Sequence, residues 1–371
     1  MKTKEHIQQN PYRVMGVCTT DPLSHISWQN SRMKAHAAIN KEVCCMMDMA
    51  AVFGSRPGRQ AEALSAANTA LCSPMGRLTH GLFWFMSLTD TDASVLETLA
   101  MDGDLMAAEK AWEMDTGGMS SLQNRMVCCL LRGSRYYPKA LRLASRLYAT
   151  HGSAFIRLVS KGFDVITPDR LMPAFLAEVI RHSEGKDAQW EKAVERLGDE
   201  TIALQWAEAK AEALIAVLRD ALYVAKAAEI HEALDHYRIA IALKKLADPL
   251  LKSLRRLRER HPVLLSRYAS IADEVCEEVT SRGISYHNRS AWFPGKKERV
   301  LELERFCYRH AMSLHGKRKA QENVNMSLGR PIMAPLFPNA SPDRLTAGDR
   351  MKANAGIMAI LNALRERKDS I

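Results

Sequence analysis

A chain of 371 residues, 47% hydrophobic and 25% charged, carries enough apolar material for a sizeable core and more than one domain, which excludes wholesale disorder. Its net charge of +10 sits at the ends: residues 1–88 hold nine Lys/Arg against five Asp/Glu, residues 296–371 hold fifteen against eight, and the middle is close to neutral. No uncharged apolar run approaches the ~18 residues of a spanning helix, and the opening MKTKEHIQQN is not followed by the apolar stretch of a secretory signal, so a soluble, cytoplasmic protein is expected.

The N-terminal stretch carries three helix starts with a mechanism. Asn10-Pro11, Asp21-Pro22 and Ser73-Pro74 each place a side-chain oxygen before a residue whose missing N–H would have been unpaired anyway. The first helix is short, residues 12–15, and Gly16 ends it. In the second, up to Ala38, residues Leu23, Ile26, Met33 and Ala37 return near the helical period. In the third, Ala63, Leu64, Ala67, Ala70 and Leu71 do the same. Short amphipathic helices of this kind can share one core.

These residues resemble the J domain of co-chaperones that act on the seventy-kilodalton heat-shock chaperones. The resemblance rests on Tyr12, Val14, Met15, Gly16 and Val17 at the opening, on the second helix from Asp21 to Ala38, and on Ala67, Asn68, Leu71, Ser73 and Arg77 near the end of the domain. It covers about the first quarter of the chain. The whole looks most like bacterial J-domain-like proteins of unknown function, which share the Asn-Pro-Tyr opening and an ending like Leu82-Phe83-Trp84-Phe85. A working J domain carries His-Pro-Asp after its second helix. Here those positions fall on Ala38, Ile39 and Asn40, so the resemblance implies a J-like fold without J-type stimulation of ATP hydrolysis. The alternative is a functional J domain with a displaced trigger. The family's basic docking face is reduced to Arg32, Lys34 and Lys41.

Residues 93–149 read as helical hairpins with turns at Gly103 and Gly133, and a weaker copy turns at Gly162. The glycine spacings of 30 and 29 are near the period of helix-turn-helix repeats and loosely resemble the tetratricopeptide type. Such an array either grips a peptide or serves as scaffolding. From Gly198 to Pro249 no glycine or proline intervenes, which predicts one long helix or two with a small break; about 48 helical residues would span roughly 70 Å. Strict heptads are not sustained, so a packed bundle is expected.

The run LKSLRRLRERHP sets Lys252, Arg255, Arg256, Arg258 and Arg260 on a short helix closed by Pro262, and Lys317, Arg318 and Lys319 form a second basic cluster. Both suit nucleic acid or another anionic surface, or a solvated helix face. The second cluster lacks interleaved stacking aromatics. Further helices are predicted over 263–282 and 298–314. Residues 329–343, with four prolines, read as a linker, and 347–367 as a terminal helix that docks in cis or enters a partner's groove.

Eight cysteines, two pairs of them adjacent, show no C-x-x-C or Cys/His ligand spacing, so they read as buried thiols in a reducing compartment. No H-E-x-x-H, phosphate loop or G-x-S-x-G elbow is present, and His231 and His236 lie five apart, a poor spacing for one face. The chain is therefore expected to be all-α and to need no metal or cofactor: a J-like bundle over 1–88, helical-hairpin repeats over 89–197, a long-helix bundle over 198–328, and a Pro-rich linker with terminal helix over 329–371. The expected role is a non-enzymatic protein-binding adaptor or chaperone-associated scaffold, with a heat-shock chaperone among the candidate partners. The alternative is a nucleic-acid-associated protein. The candidate contact residues are Arg32, Lys34 and Lys41 at one end, and Arg255, Arg256, Arg258, Arg260, Lys317, Arg318 and Lys319 at the other.

Overall fold

Local caps start and stop the N-terminal helices. The computed structural model describes residues 2–183, 187–290, 295–311, 313 and 317. Helix α1, Lys2–Gln8, was not anticipated from the sequence. Asn10 Oδ1 then accepts from the Tyr12 amide at 3.0 Å and caps α2, Pro11–Met15. Gly16 ends α2 at φ 67°, where a Cβ would meet Cys45 at 2.7 Å. Helix α3, Leu23–Ala38, begins differently from the expectation: Asp21 does not cap it, because its carboxylate accepts from the Cys18 amide at 2.8 Å, and Pro22 holds the cap position without a side-chain bond. The stretch that follows holds a 3₁₀ turn at Met46–Asp48 and α4, Ala50–Phe53.

Helix α5, Ala61–Cys72, buries Leu64, Ala67 and Leu71. Ser73 Oγ accepts from the Gly76 amide at 2.9 Å to start α6, Pro74–Gly81. Arg77 of α6 is buried and donates to the Leu71 and Cys72 carbonyls and to that of Ser160. It thereby satisfies acceptors that the end of α5 leaves without a helical partner.

Downstream lie α7, Asp90–Asp102, α8, Leu105–Glu113, α9, Met119–Arg132, α10, Tyr137–Val159, α11, Leu171–Ser183, and α12, Asp187–Leu197. Helix α9 is buried from Ser120 to Leu131 and packs between α8 and α10. Its polar residues serve the Leu82-Phe83-Trp84-Phe85 segment, which is itself fully buried. Gln123 Nε2 reaches the carbonyls of Gly81, Leu82 and Trp84 at 3.0, 3.2 and 2.9 Å. Asn124 pairs with both backbone groups of Met86. From the other side Trp84 Nε1 donates to the Val17 carbonyl at 2.9 Å. An irregular segment can lie in a core only if its backbone is paired in this way.

Gly103, Gly133 and Gly162 all take positive φ at helix junctions, as the hairpin reading requires. Their near-equal spacing does not enclose equal structure: α8 and α9 lie between the first two, and a 3₁₀ turn and the one α-helix α10 between the second and third.

The contacts divide the chain into two units, Met1–Ala209 and the part from Lys210 onward. Within the first, α1 packs on α9 and α11, and α6 packs on α10 and α11. The boundary expected near residue 88 therefore falls inside one unit, across the seam that Gln123 and Asn124 hold.

The remaining helices are α13, Glu200–Ala227, α14, Ala233–Arg260, α15, Leu265–Arg289, and α16, Lys296–His310. The 198–249 run breaks after Ala227, before Pro249. Asp235 is buried, and its carboxylate accepts from the His231 and Glu232 amides and so caps α14. Helix α14 continues through Pro249, and LKSLRRLRER is its last part, not a separate short helix. Helix α15 runs through Gly283 to Arg289, seven residues past the expected end; an added Cβ at Gly283 would meet Leu303 of α16 at 3.3 Å. Helices α14, α15 and α16 pack on one another, burying Leu243, Leu254, Ile271, Val275, Leu303 and Phe306.

Every regular element among the described residues is helical, so the fold is all-α. None of the described helices is long and apolar enough to cross a membrane. The linker expected over 329–343 and the helix expected over 347–367 lie outside the described residues.

Candidate partner-binding surfaces

The first unit holds a groove of about 740 Å³ between α3, the turn after it, residues 56–60 and the start of α5. Two arginines, Arg13 buried and Arg59 partly buried, hold the 40–60 stretch back onto α2. Arg59 donates to the carbonyls of Val14 and Val43 at 2.8 and 2.7 Å and clasps both oxygens of Asp48. The two side chains of this pair are 10% and 3% exposed. Asp48 also accepts from the Cys45 amide at 3.1 Å. Arg13 donates to the carbonyls of Gln8, Asp48 and Ser55 and lies over the Phe53 ring at 4.2 Å. Burial pulls the Arg13 guanidinium down to about 10, with Asp48 opposing that shift. Neither arginine was singled out from the sequence; no local spacing links them to partners 35 to 46 residues away.

The groove floor includes Met33, Val43 and Leu64, and its rim carries Lys34, Lys41, Arg56 and Arg59. Arg56 pairs with Glu42 at 2.9 Å and Arg59 with Asp48, so the rim's net charge comes from Lys34 and Lys41, both exposed. Arg32 is not part of the lining. Two positions along a helix are about 200° apart, and Arg32 instead lies 5.4 Å from the Trp28 ring. Of the three N-terminal candidates, then, the fold brings two together. Ala38 ends α3, and Ile39 and Asn40 form the exposed turn after it: Ile39 is 69% exposed and Asn40 has φ 53°.

In the second unit a pocket of about 370 Å³ is lined by Arg255, Arg258, Tyr308, Arg309 and Lys317, with Glu259 beside them. Arg255, Arg258 and Glu259 follow the i, i+3, i+4 pattern on α14 and share a face; Arg256 and Arg260 are exposed on another. Arg255 donates to the Arg309 carbonyl at the end of α16. Close by, His310 Nε2 and Lys252 Nζ meet the Asp248 carboxylate at 2.8 and 2.5 Å. Burial lowers His310, with Asp248 opposing it. The two basic clusters, some sixty residues apart in the chain, therefore meet through Lys317. Arg318 and Lys319 lie outside the described residues. Tyr308, half-exposed, supplies the aromatic that the sequence around Lys317 lacks.

Five cysteines, Cys18, Cys128, Cys129, Cys276 and Cys307, are buried, while Cys44 and Cys72 are exposed; none is in a disulfide. Burial pushes the Cys128 thiol well up and takes Cys129 to about 12. Among the described residues no group of three or more His, Cys, Asp or Glu side chains could hold a metal ion. His6, His80 and His182 cluster beside Glu178, with His6 and His182 stacked at 3.6 Å. Burial, with the neighbouring histidines, lowers His6 to about 3, a neutral ring rather than a charged site. Compared with protein families, curated proteins and solved structures, the chain matches none.

Proposed function

We propose that the chain is a non-enzymatic protein-binding adaptor whose J-like N-terminal helices present the α3–α5 groove to an acidic, partly apolar segment of a partner protein. The observation that carries this reading is the composition of the groove: an apolar floor of Met33, Val43 and Leu64 under a rim whose net charge is positive. Its volume suits a few side chains rather than a long peptide, and Lys34 and Lys41 would select acidic neighbours around an apolar anchor. By the J-domain resemblance of the sequence the trigger positions fall on Ala38, Ile39 and Asn40, so a heat-shock chaperone, if it docks here, is expected to bind without faster ATP hydrolysis.

The test uses the full chain with a photo-crosslinking residue at Ile39 in host cells, with adducts identified by mass spectrometry. Discrete adducts are expected, and Lys34→Glu with Lys41→Glu should remove them. Adducts that persist after this charge reversal would show that the groove is not the docking surface. Stimulated hydrolysis by a cognate chaperone, lost on changing Asn40, would replace this reading with that of a working J protein.

A further inference from the structure

We propose that the exposed face of α10 binds the phosphate backbone of double-stranded nucleic acid, without reading its sequence. Between Asp115 and Asp164 the chain holds eight Lys/Arg and no Asp or Glu, although its middle as a whole is close to neutral. Five of the eight have partners. Arg125 and Lys139 meet Glu113 at 2.7 and 3.5 Å, and Arg132 and Lys139 meet Glu109. Arg157 pairs with Asp164 at 3.0 Å, and Lys161 Nζ donates to the Thr19 carbonyl at 2.7 Å. The other three, Arg135, Arg142 and Arg146, are exposed, and among the described residues none of them has an acidic partner. Three carboxylates thus serve four of the cations, and three guanidinium groups are left over on one side of the unit.

Arg142 and Arg146 lie one turn apart on α10, and Arg135 stands in the 3₁₀ turn, Ser134–Tyr136, that leads into it. Further along the same face come Ala149, Thr150 and Ser153, small and exposed, so the helix can be approached closely. The nearest other acidic side chains, Glu191 and Glu195, belong to α12, which stacks Trp190 on Tyr137 at 3.9 Å. Tyr137 is about 140° round the helix from Arg142 and about 180° from Arg146, so α12 sits behind the arginines. The composition of the face selects the partner. It carries no exposed apolar side chain beyond alanine, whereas a protein interface needs an apolar centre and a membrane-surface helix an inserting face; the apolar side of α10, with Leu141, Ala144 and Leu147, is buried in the core. It carries no aromatic ring on which a splayed base could stack. Duplex phosphates need only cations and hydroxyls, and the planar guanidinium fits them with paired hydrogen bonds. From Arg135 to Arg146 is about 16 Å of helix axis, a length over which a duplex presents roughly nine charges.

The experiment is fluorescence anisotropy of the full chain against a labelled duplex of about 20 base pairs, with a single strand of the same length, phosphatidylserine vesicles and polyglutamate as comparators. Three phosphate contacts predict a salt slope near about −2.7, and so about 40-fold weaker binding at about 200 mM than at about 50 mM salt. Arg142→Gln and Arg146→Gln, both at exposed positions, should each lower that slope by about 1 and weaken duplex binding roughly 10-fold at the lower salt, with the circular dichroism spectrum unchanged. Arg256→Gln, exposed on α14, should alter binding by less than about 2-fold. No duplex binding at the lower salt overturns the proposal, as does indifference to Arg142→Gln and Arg146→Gln. Binding to the single strand, the vesicles or polyglutamate as tight as to the duplex overturns it too. So does a loss with Arg256→Gln as large as with Arg142→Gln, since charge in general would then be responsible.

Discussion

Replacing Arg59 by methionine tests whether the 40–60 stretch, and with it the groove, depends on one partly buried guanidinium. The substitution keeps most of the apolar stem and removes the donors that serve Asp48 and the carbonyls of Arg13, Val14 and Val43. Asp48 would remain buried without its ion-pair partner, its carboxylate keeping one amide bond, from Cys45, with the Arg13 guanidinium held on its carbonyl. Breaking a buried ion pair from one side costs about 3–5 kcal/mol, which for a unit of this size lowers the melting temperature by roughly 10 °C. Asp48→Asn removes the charge and keeps the shape, so the double change should cost less than the sum of the singles by about 2 kcal/mol or more. Thermal unfolding gives the magnitude, and hydrogen exchange places it: protection should fall across residues 41–60 and at α2. A melting shift equivalent to less than about 1 kcal/mol, or lost protection elsewhere, would show that Arg59 is not what closes the loop.

Three more outcomes follow from the packing. His6, neutral in the fold because its ring is held near 3 against an ordinary 6.5, makes the unfolded chain bind the extra proton between those values. Stability is therefore full above about pH 6.5 and lost as the pH falls, by about 2–3 kcal/mol at pH near 4.5; His80, His182, Glu178 and Arg181 face the same cluster, and denaturation of His6→Phe against pH should show a flatter slope. Asp92 is buried and accepts from the Leu88 and Thr89 amides and from Trp112 Nε1, so Asp92→Ala should cost about 2–4 kcal/mol by chemical denaturation. Under native conditions a thiol reagent should label Cys44 and Cys72 first, with Cys18, Cys128, Cys129, Cys276 and Cys307 reacting only on unfolding; fast labelling of any of those five would contradict their burial.

Much of the architecture is written in short-range chemistry. Asn10, Ser73 and the glycines at 16, 103 and 133 act within a few residues of where they stand, so their roles as caps and stops can be read before any fold is known. Helical composition likewise announces an all-α chain. The misread places are those where a residue had more than one local role open to it. Asp21 could cap α3 by its position, yet it serves the Cys18 amide, and Pro249, expected to close a helix, passes within one; the small break allowed for in the 198–249 run falls between Ala227 and Ala233.

The candidate surfaces follow the same division. Lys34 and Lys41, and Arg255, Arg258 and Lys317, are evident as basic residues from the chain alone, but which of them share a wall depends on helix phase and on packing. Arg32 drops out of the groove for the first reason, and Tyr308 enters the basic pocket for the second. Polar Gln123 and Asn124 look misplaced on a buried helix until the backbone of residues 81–86 is laid against them, about forty residues away in the chain. Periodicity and capping are properties of neighbours along the backbone. Buried polar pairing is decided by which segments meet, and no one-dimensional pattern encodes that meeting.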